Sequence, residues 1–264
     1  MQNSIISYSA SFSQSNLIQS LFWHFPRTLI SWASFNLLSV IIVVLVAVYM
    51  FPKEFKEKRI RIFIGLMIGV YFTFIGAKIF YFIINGIYSL LNRETFDIST
   101  VHLGKASLGL FFFQLLVTWV LTKNNKNGIT FLKALDYFVA VTFAGLALTR
   151  IECLCVGCCY GRPLAGPIGA LFNGNHPTQI YSFVNLCFSL VVSRILYIKR
   201  RNFPDGSTYF GSMAVYCALR VIIEGFRADS VPVLGSITLA QITFLLMAAG
   251  SIFALVRINK RSAV

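Results

Sequence analysis

The chain has 264 residues, of which 57% are hydrophobic and only 12% charged, and its mean hydropathy is +0.74. Soluble domains run at about 45–50% apolar and about 25% charged residues, so the composition argues against a soluble enzyme, a nucleic-acid module and a disordered tail. The net charge of +14 would suggest a polyanion partner in water. In a membrane protein the placement of that charge matters more than its sum.

Residues 1–27 are Ser-rich and lack the basic and apolar regions of a signal peptide. They are expected to form an exported or interfacial tail, with Phe22, Trp23 and Phe25 suited to the headgroup layer. Apolar runs then follow at residues 28–51, 62–91, 106–121, 131–149, 176–198, 206–226 and 235–256. About 20 apolar residues cross a hydrocarbon core. The expectation is an all-α integral membrane protein, a bundle of about seven transmembrane helices. Residues 28–256 form its single embedded domain, and residues 257–264 form a basic cytoplasmic tail.

Cations set the orientation. Lys53, Lys56, Lys58, Arg59 and Arg61 follow the first run, and Lys123, Lys126 and Lys133 follow the third. Lys199, Arg200 and Arg201 follow the fifth, and Arg257, Lys260 and Arg261 the seventh. They outnumber Arg27, Arg93, Lys105, Arg150, Arg162 and Arg227 on the opposite side. The N-terminus is therefore expected outside and the C-terminus in the cytoplasm.

Ionisable residues inside a membrane are costly and face a polar interior. In the fourth run Asp136 stands fourteen residues before Arg150, about 21 Å along a helix. The two cannot pair, and Asp136 is expected to be structural, near the inner end. The segment from Arg150 to Arg162 should begin where the fourth span ends. Gly157 and Gly161 in it permit a tight bend and a close backbone approach. Arg150 is either an interfacial cation or an anion ligand.

Four cysteines, Cys153, Cys155, Cys158 and Cys159, crowd into this segment. They read as small packing residues in a tight loop, as a redox dithiol at Cys155 and Cys158, or as thiolates for zinc or an iron–sulfur cluster. All four lie on one segment, which weighs against a closed metal site. No metal is assigned. Cys187 and Cys217 fall within spans and read as core.

At the start of the fifth run stands His176-Pro177-Thr178-Gln179-Ile180-Tyr181. Pro177 suits a first helical turn. His176 is either a hydrogen-bonded boundary residue or a base poised near neutral pH, and Gln179 and Tyr181 add polar reach. In the sixth run Tyr216, Arg220 and Glu224 recur every four residues, with Arg227 three further on, so the four should share a stripe. Arg220 and Glu224 can pair. The row is either an interhelical bridge or a guanidinium site for a phosphate, to which the planar fork of Arg is well matched.

Taken in order, Arg150…Gly157…Tyr160-Gly161, His176 to Tyr181, and Tyr216…Arg220…Glu224…Arg227…Asp229 resemble the sequence marks of prolipoprotein diacylglyceryl transferases. Residues 75–80, Asp136 and residues 235–241 add weaker likeness, which covers roughly residues 60–250. The resemblance implies seven spans with an exported N-terminus. It implies transfer of a diacylglyceryl group from phosphatidylglycerol to the lipobox cysteine of an exported preprolipoprotein, at the outer side of a multi-pass protein of the bacterial cytoplasmic (inner) membrane. A thiolate would attack carbon, and the departing glycerol phosphate would need cationic donors in a dry site.

Membrane lipid is thus a partner, and neither a cofactor nor nucleic acid is called for. Functional residues carry over to Arg150, Gly161, Tyr216 and Arg220, with Glu224 as partner of the arginine row. Arg150, Arg220 and Arg227 would bind the phosphate, Tyr216 would orient it, and His176 or His102 would take the thiol proton. The chain departs from the family pattern in Cys153 for Asn, Cys158 for Glu, and Leu108 for His or Tyr, with His102 six residues earlier. It is read as a diverged member. The rival readings are a membrane thiol-disulfide oxidoreductase using Cys155 and Cys158, a diverged lipid transferase or binding protein with another acceptor, and an anion transporter or receptor.

Overall fold

The computed structural model describes residues 107–123, 130–156, 159, 161–172, 174–199, 203–228 and 232–262, with residues 45, 75, 76, 79, 82, 83 and 86 singly. The expected tail, most of the first two spans and His102 lie outside the described residues. Helix α1 (Ser107–Thr122) is followed by α2 (Phe131–Val156), a short α3 (Pro167–Leu171), α4 (Thr178–Ile198) and α5 (Ser207–Glu224). Strands β1 (Pro232–Leu234) and β2 (Ile237–Thr238) form an antiparallel hairpin before α6 (Leu239–Ser262).

The protein is mostly helical, and among the described residues three helices are long and apolar enough to cross a membrane: Phe131–Ile151, Thr178–Ile198 and Leu239–Lys260. The hairpin corrects the all-α expectation. Residues 235–238, expected to open the last span, turn through Gly235 and pair instead. Helix α6 then starts on a reciprocal cap: Gln241 N donates to Thr238 Oγ1 at 3.1 Å, and Thr238 N donates to Gln241 Oε1 at 2.9 Å.

Helix α2 is central. In its membrane-length window 83% of residues are buried, against 28% in α4 and 17% in α6. Leu135, Val139 and Phe143 of α2 pack with Phe111, Leu186, Met213, Cys217 and Phe244 from the surrounding helices. Helix α4 is apolar on its outside and polar on its inside. Val184, Phe188, Val191, Ile195 and Ile198 are exposed, while Thr178, Ser182, Asn185, Ser189 and Ser193 are buried. Lipid removes the hydrophobic drive for helices to associate, leaving close packing and interhelical hydrogen bonds. Such a bond crosses from Asn185 Nδ2 to the carbonyl of Tyr216 at 3.2 Å.

Asp136 has the structural role expected of it. Helix α5 begins at Gly206, which has a φ of 93° and no side chain to cap the helix. The exposed amides of the first turn are met from α2: Gly206 N donates to Asp136 Oδ2 at 2.8 Å and Tyr209 N to Oδ1 at 2.7 Å. A buried carboxylate at a helix N-terminus also faces the positive end of the helix dipole. The left-handed φ favours glycine at 206.

Candidate functional site

At the opposite end of the bundle, α2 continues past the expected boundary to Val156. The membrane-length part of the helix ends at Ile151, so Arg150 stands at that end as expected, while Cys153 and the backbone at Cys155 are still helical. No helix breaker stands between residues 149 and 156, so the hydrogen-bonded ladder simply propagates. The tight loop comes later. Cys158, Gly157 and Tyr160 lie outside the described residues, as does the side chain of Cys155. Cys159 has a φ of 60°, and its carbonyl accepts a hydrogen bond from Thr178 Oγ1 at 2.6 Å.

Gly161 is buried where three chain segments meet. Its N–H donates to the carbonyl of His176 at 3.0 Å, His176 N donates to that of Arg162 at 2.9 Å, and Arg162 N donates to that of Phe226 at 2.8 Å. The loop is thereby laced between the start of α4 and the end of α5. A Cβ at position 161 would stand 2.5 Å from His176 Cβ and 2.7 Å from the carbonyl oxygens of His176 and Phe226. Such distances leave room for glycine alone.

Pro177 is the N-cap of α4 rather than a residue of its first turn, with ψ at 66°. Its carbonyl accepts from the N–H groups of Ile180 and Tyr181, so the proline closes the helix end through its oxygen. His176 sits in an aromatic group with its ring centroid 4.9 Å from that of Phe226 and 6.2 Å from that of Tyr181. Nδ1 is 3.4 Å from the Tyr181 hydroxyl. Gln179, in the first turn of α4, is buried.

The arginine row is inside the bundle. Arg220 is 2% exposed and Glu224 4%, a depth at which an unpaired charge is prohibitive. Arg220 Nη2 lies 3.0 Å from Glu224 Oε2, and Nη1 donates to Ser182 Oγ at 2.6 Å. The guanidinium carbon stands 5.7 Å from the Phe244 ring centroid, in cation–π range. Arg227 Nε is 3.6 Å from Glu224 Oε1. Helix α5 ends at Glu224, so Arg227 joins the row from the following turn and not from the helical stripe expected for it.

Arg150, from α2, is close enough for its charge to act on both Tyr216 and Arg220. The Tyr216 ring is wedged against Phe111 and Phe143, each 5.4 Å away between centroids, and against Phe244 at 6.1 Å. Two guanidinium donors in this cluster, Arg150 Nε and Arg220 Nε, are buried with no hydrogen-bond partner among the described residues. Buried polar atoms are rarely left so. A cluster of cations around one carboxylate with open N–H donors has the chemistry to receive an anion with several oxygens.

The family model described as prolipoprotein diacylglyceryl transferase matches residues 20–257. The chain belongs to the prolipoprotein diacylglyceryl transferase family. That is an enzyme family of the membrane. A phosphatidylglycerol–prolipoprotein diacylglyceryl transferase from Clostridium tetani is 27% identical over 70% of this chain and 77% of its own length. A transferase of the same name from Finegoldia magna is 28% identical over 71% of this chain and 74% of its own length. One from Clostridium perfringens is 29% identical, over 51% of this chain and 55% of its own length.

Sequence reading alone missed Ser182, whose hydroxyl orients Arg220, and the phenylalanines around Tyr216. The period of buried Ser, Thr and Asn along α4 carried a signal for Ser182. Nothing local marks Phe111 or Phe244 among 26 phenylalanines.

Proposed function

We propose that this protein transfers the diacylglyceryl group of phosphatidylglycerol to the lipobox cysteine of exported preprolipoproteins. The observation that carries the proposal is the buried Arg220, with Arg150 beside it and a guanidinium N–H of each left open by the described residues. These groups are pre-aimed donors in a water-poor site, where they act far more strongly than in water. Arg150 and Arg220 hold the phosphodiester, Arg227 adds positive charge at the rim, and Tyr216 fixes the orientation. Glu224 balances part of the charge and keeps Arg220 extended. The acyl chains stay in the bilayer.

In the reaction the cysteine thiolate attacks the glycerol carbon that bears the phosphate. A C–S bond forms, the C–O bond to phosphate breaks, and glycerol phosphate leaves with the bonding pair. The thiol proton passes to a base, for which His176 and His102 are the candidates. Negative charge builds on the departing phosphate oxygen, and the arginines meet it there.

The chain is further read as seven spans in the bacterial inner membrane, N-terminus outside and site towards the exported face. The bias of cations behind alternate spans supports that topology. Purified protein, labelled phosphatidylglycerol and a lipobox peptide provide the test. A thioether-linked diacylglyceryl peptide is expected, and its absence with folded protein would overturn the proposal.

A further inference from the structure

Gln114 is a buried amide on α1. It is 1% exposed, and among the described residues neither Oε1 nor Nε2, both buried, has a hydrogen-bond partner. An amide in that state costs free energy that an apolar side chain of the same size would not. On α1 it belongs to the inward stripe of Phe111, Gln114 and Thr118, while Phe112, Leu115, Leu116 and Trp119 face out. Phe111, one turn away, is the residue of α1 that touches the Tyr216 ring.

Directions matter here. A short connection takes α1 into α2, so α1 runs back along it, and the N-terminus of α5 lies at the N-terminal end of α2 through Asp136. Helices α1 and α5 are therefore antiparallel. Side chains on a helix lean towards its N-terminus. Gln114 leans back towards Phe111, and Arg220 leans towards Tyr216, so both reach for the same level from opposite sides. Gln114 lies beyond Tyr216 on the side away from the glycine loop.

We infer that Gln114 reads the diacylglycerol part of the lipid, its Nε2 donating to an ester carbonyl of the donor whose phosphate Arg220 and Arg150 hold. This rests on the proposed lipid site and adds a specificity residue to it. Going from the phosphate towards the acyl chains, the next polar groups are the two ester carbonyls. They accept hydrogen bonds and donate none, which suits an open amide N–H and would leave an apolar residue indifferent.

The test compares short-chain phosphatidylglycerol with its ether-linked analogue, which lacks the carbonyls, in binding to the purified full chain and to Gln114→Met. Met fills a similar volume without donors. Wild type should bind the ester lipid about tenfold more tightly than the ether lipid, and Gln114→Met should bind both alike, with a melting temperature equal or higher. Equal binding of both lipids by wild type, or the same preference kept by Gln114→Met, would overturn the inference. Peptide lipidation run in parallel separates the two proposals: ester-selective binding lost in Gln114→Met without thioether product would sink the proposed reaction and leave this residue's role standing.

Discussion

The two ends of this bundle each bury an acidic side chain, and they use it differently. At one end both oxygens of Asp136 are taken by the amides of Gly206 and Tyr209, so the carboxylate joins two helices. At the other end Glu224 lies between Arg220 and Arg227, and Arg220 keeps a donor, Nε, that no described residue meets. Burial alone does not separate structure from function in a membrane interior. The partner does: Asp136 meets neutral backbone N–H groups and ties two helices, whereas Glu224 meets two guanidinium groups.

The largest effect should come from the open end. Arg220→Ala is expected to lower peptide lipidation by at least about 10²–10³-fold, measured as thioether product per folded protein. Arg220→Lys, which keeps charge but loses the fork, should recover only part of it. Full activity in Arg220→Ala would erase the contrast between the ends.

Asp136→Ala should act oppositely, on stability. It leaves two buried amides unmet and should lower unfolding free energy by about 2–4 kcal/mol, while the protein that remains folded transfers at nearly the wild-type rate. Thermal unfolding in detergent, read beside activity, checks this. A dead enzyme with unchanged melting would show that Asp136 belongs to the reaction.

Gly161→Ala forces the loop away from His176 and Phe226 at a cost of about 1–3 kcal/mol, and lipidation should drop about tenfold as the rim beside Arg227 shifts. Thr178→Val removes the bond to the Cys159 carbonyl and should cost about 1 kcal/mol, seen as a small fall in melting temperature. Cys155→Ser should change lipidation less than about twofold, a change within the usual range for a small substitution outside the working groups. Loss of activity there would instead favour dithiol chemistry.

Much of the architecture was readable beforehand because lipid demands unbroken apolar runs. The starts and ends of α1, α4 and α5 fall within a residue or two of the expected spans, and Tyr216, Arg220 and Glu224 are buried as one stripe. The end of α2 and the hairpin before α6 were less legible. Both depend on what the adjoining backbone bonds to, and that partner lies elsewhere in the chain.

Membrane residence, the run of apolar helices and the spacing of Tyr216, Arg220 and Glu224 follow from the sequence by itself, since each is a local matter of hydropathy or of the 3.6-residue turn. Only the tertiary structure decided that Asp136 caps a helix seventy residues away, that Gly161 is clasped by His176 and Phe226, that Ser182 holds Arg220, and that Gln114 has no partner among the described residues. Those facts depend on which helix faces meet and at what depth. Helical periodicity does not determine that: it says which residues share a face, and packing says what the face touches.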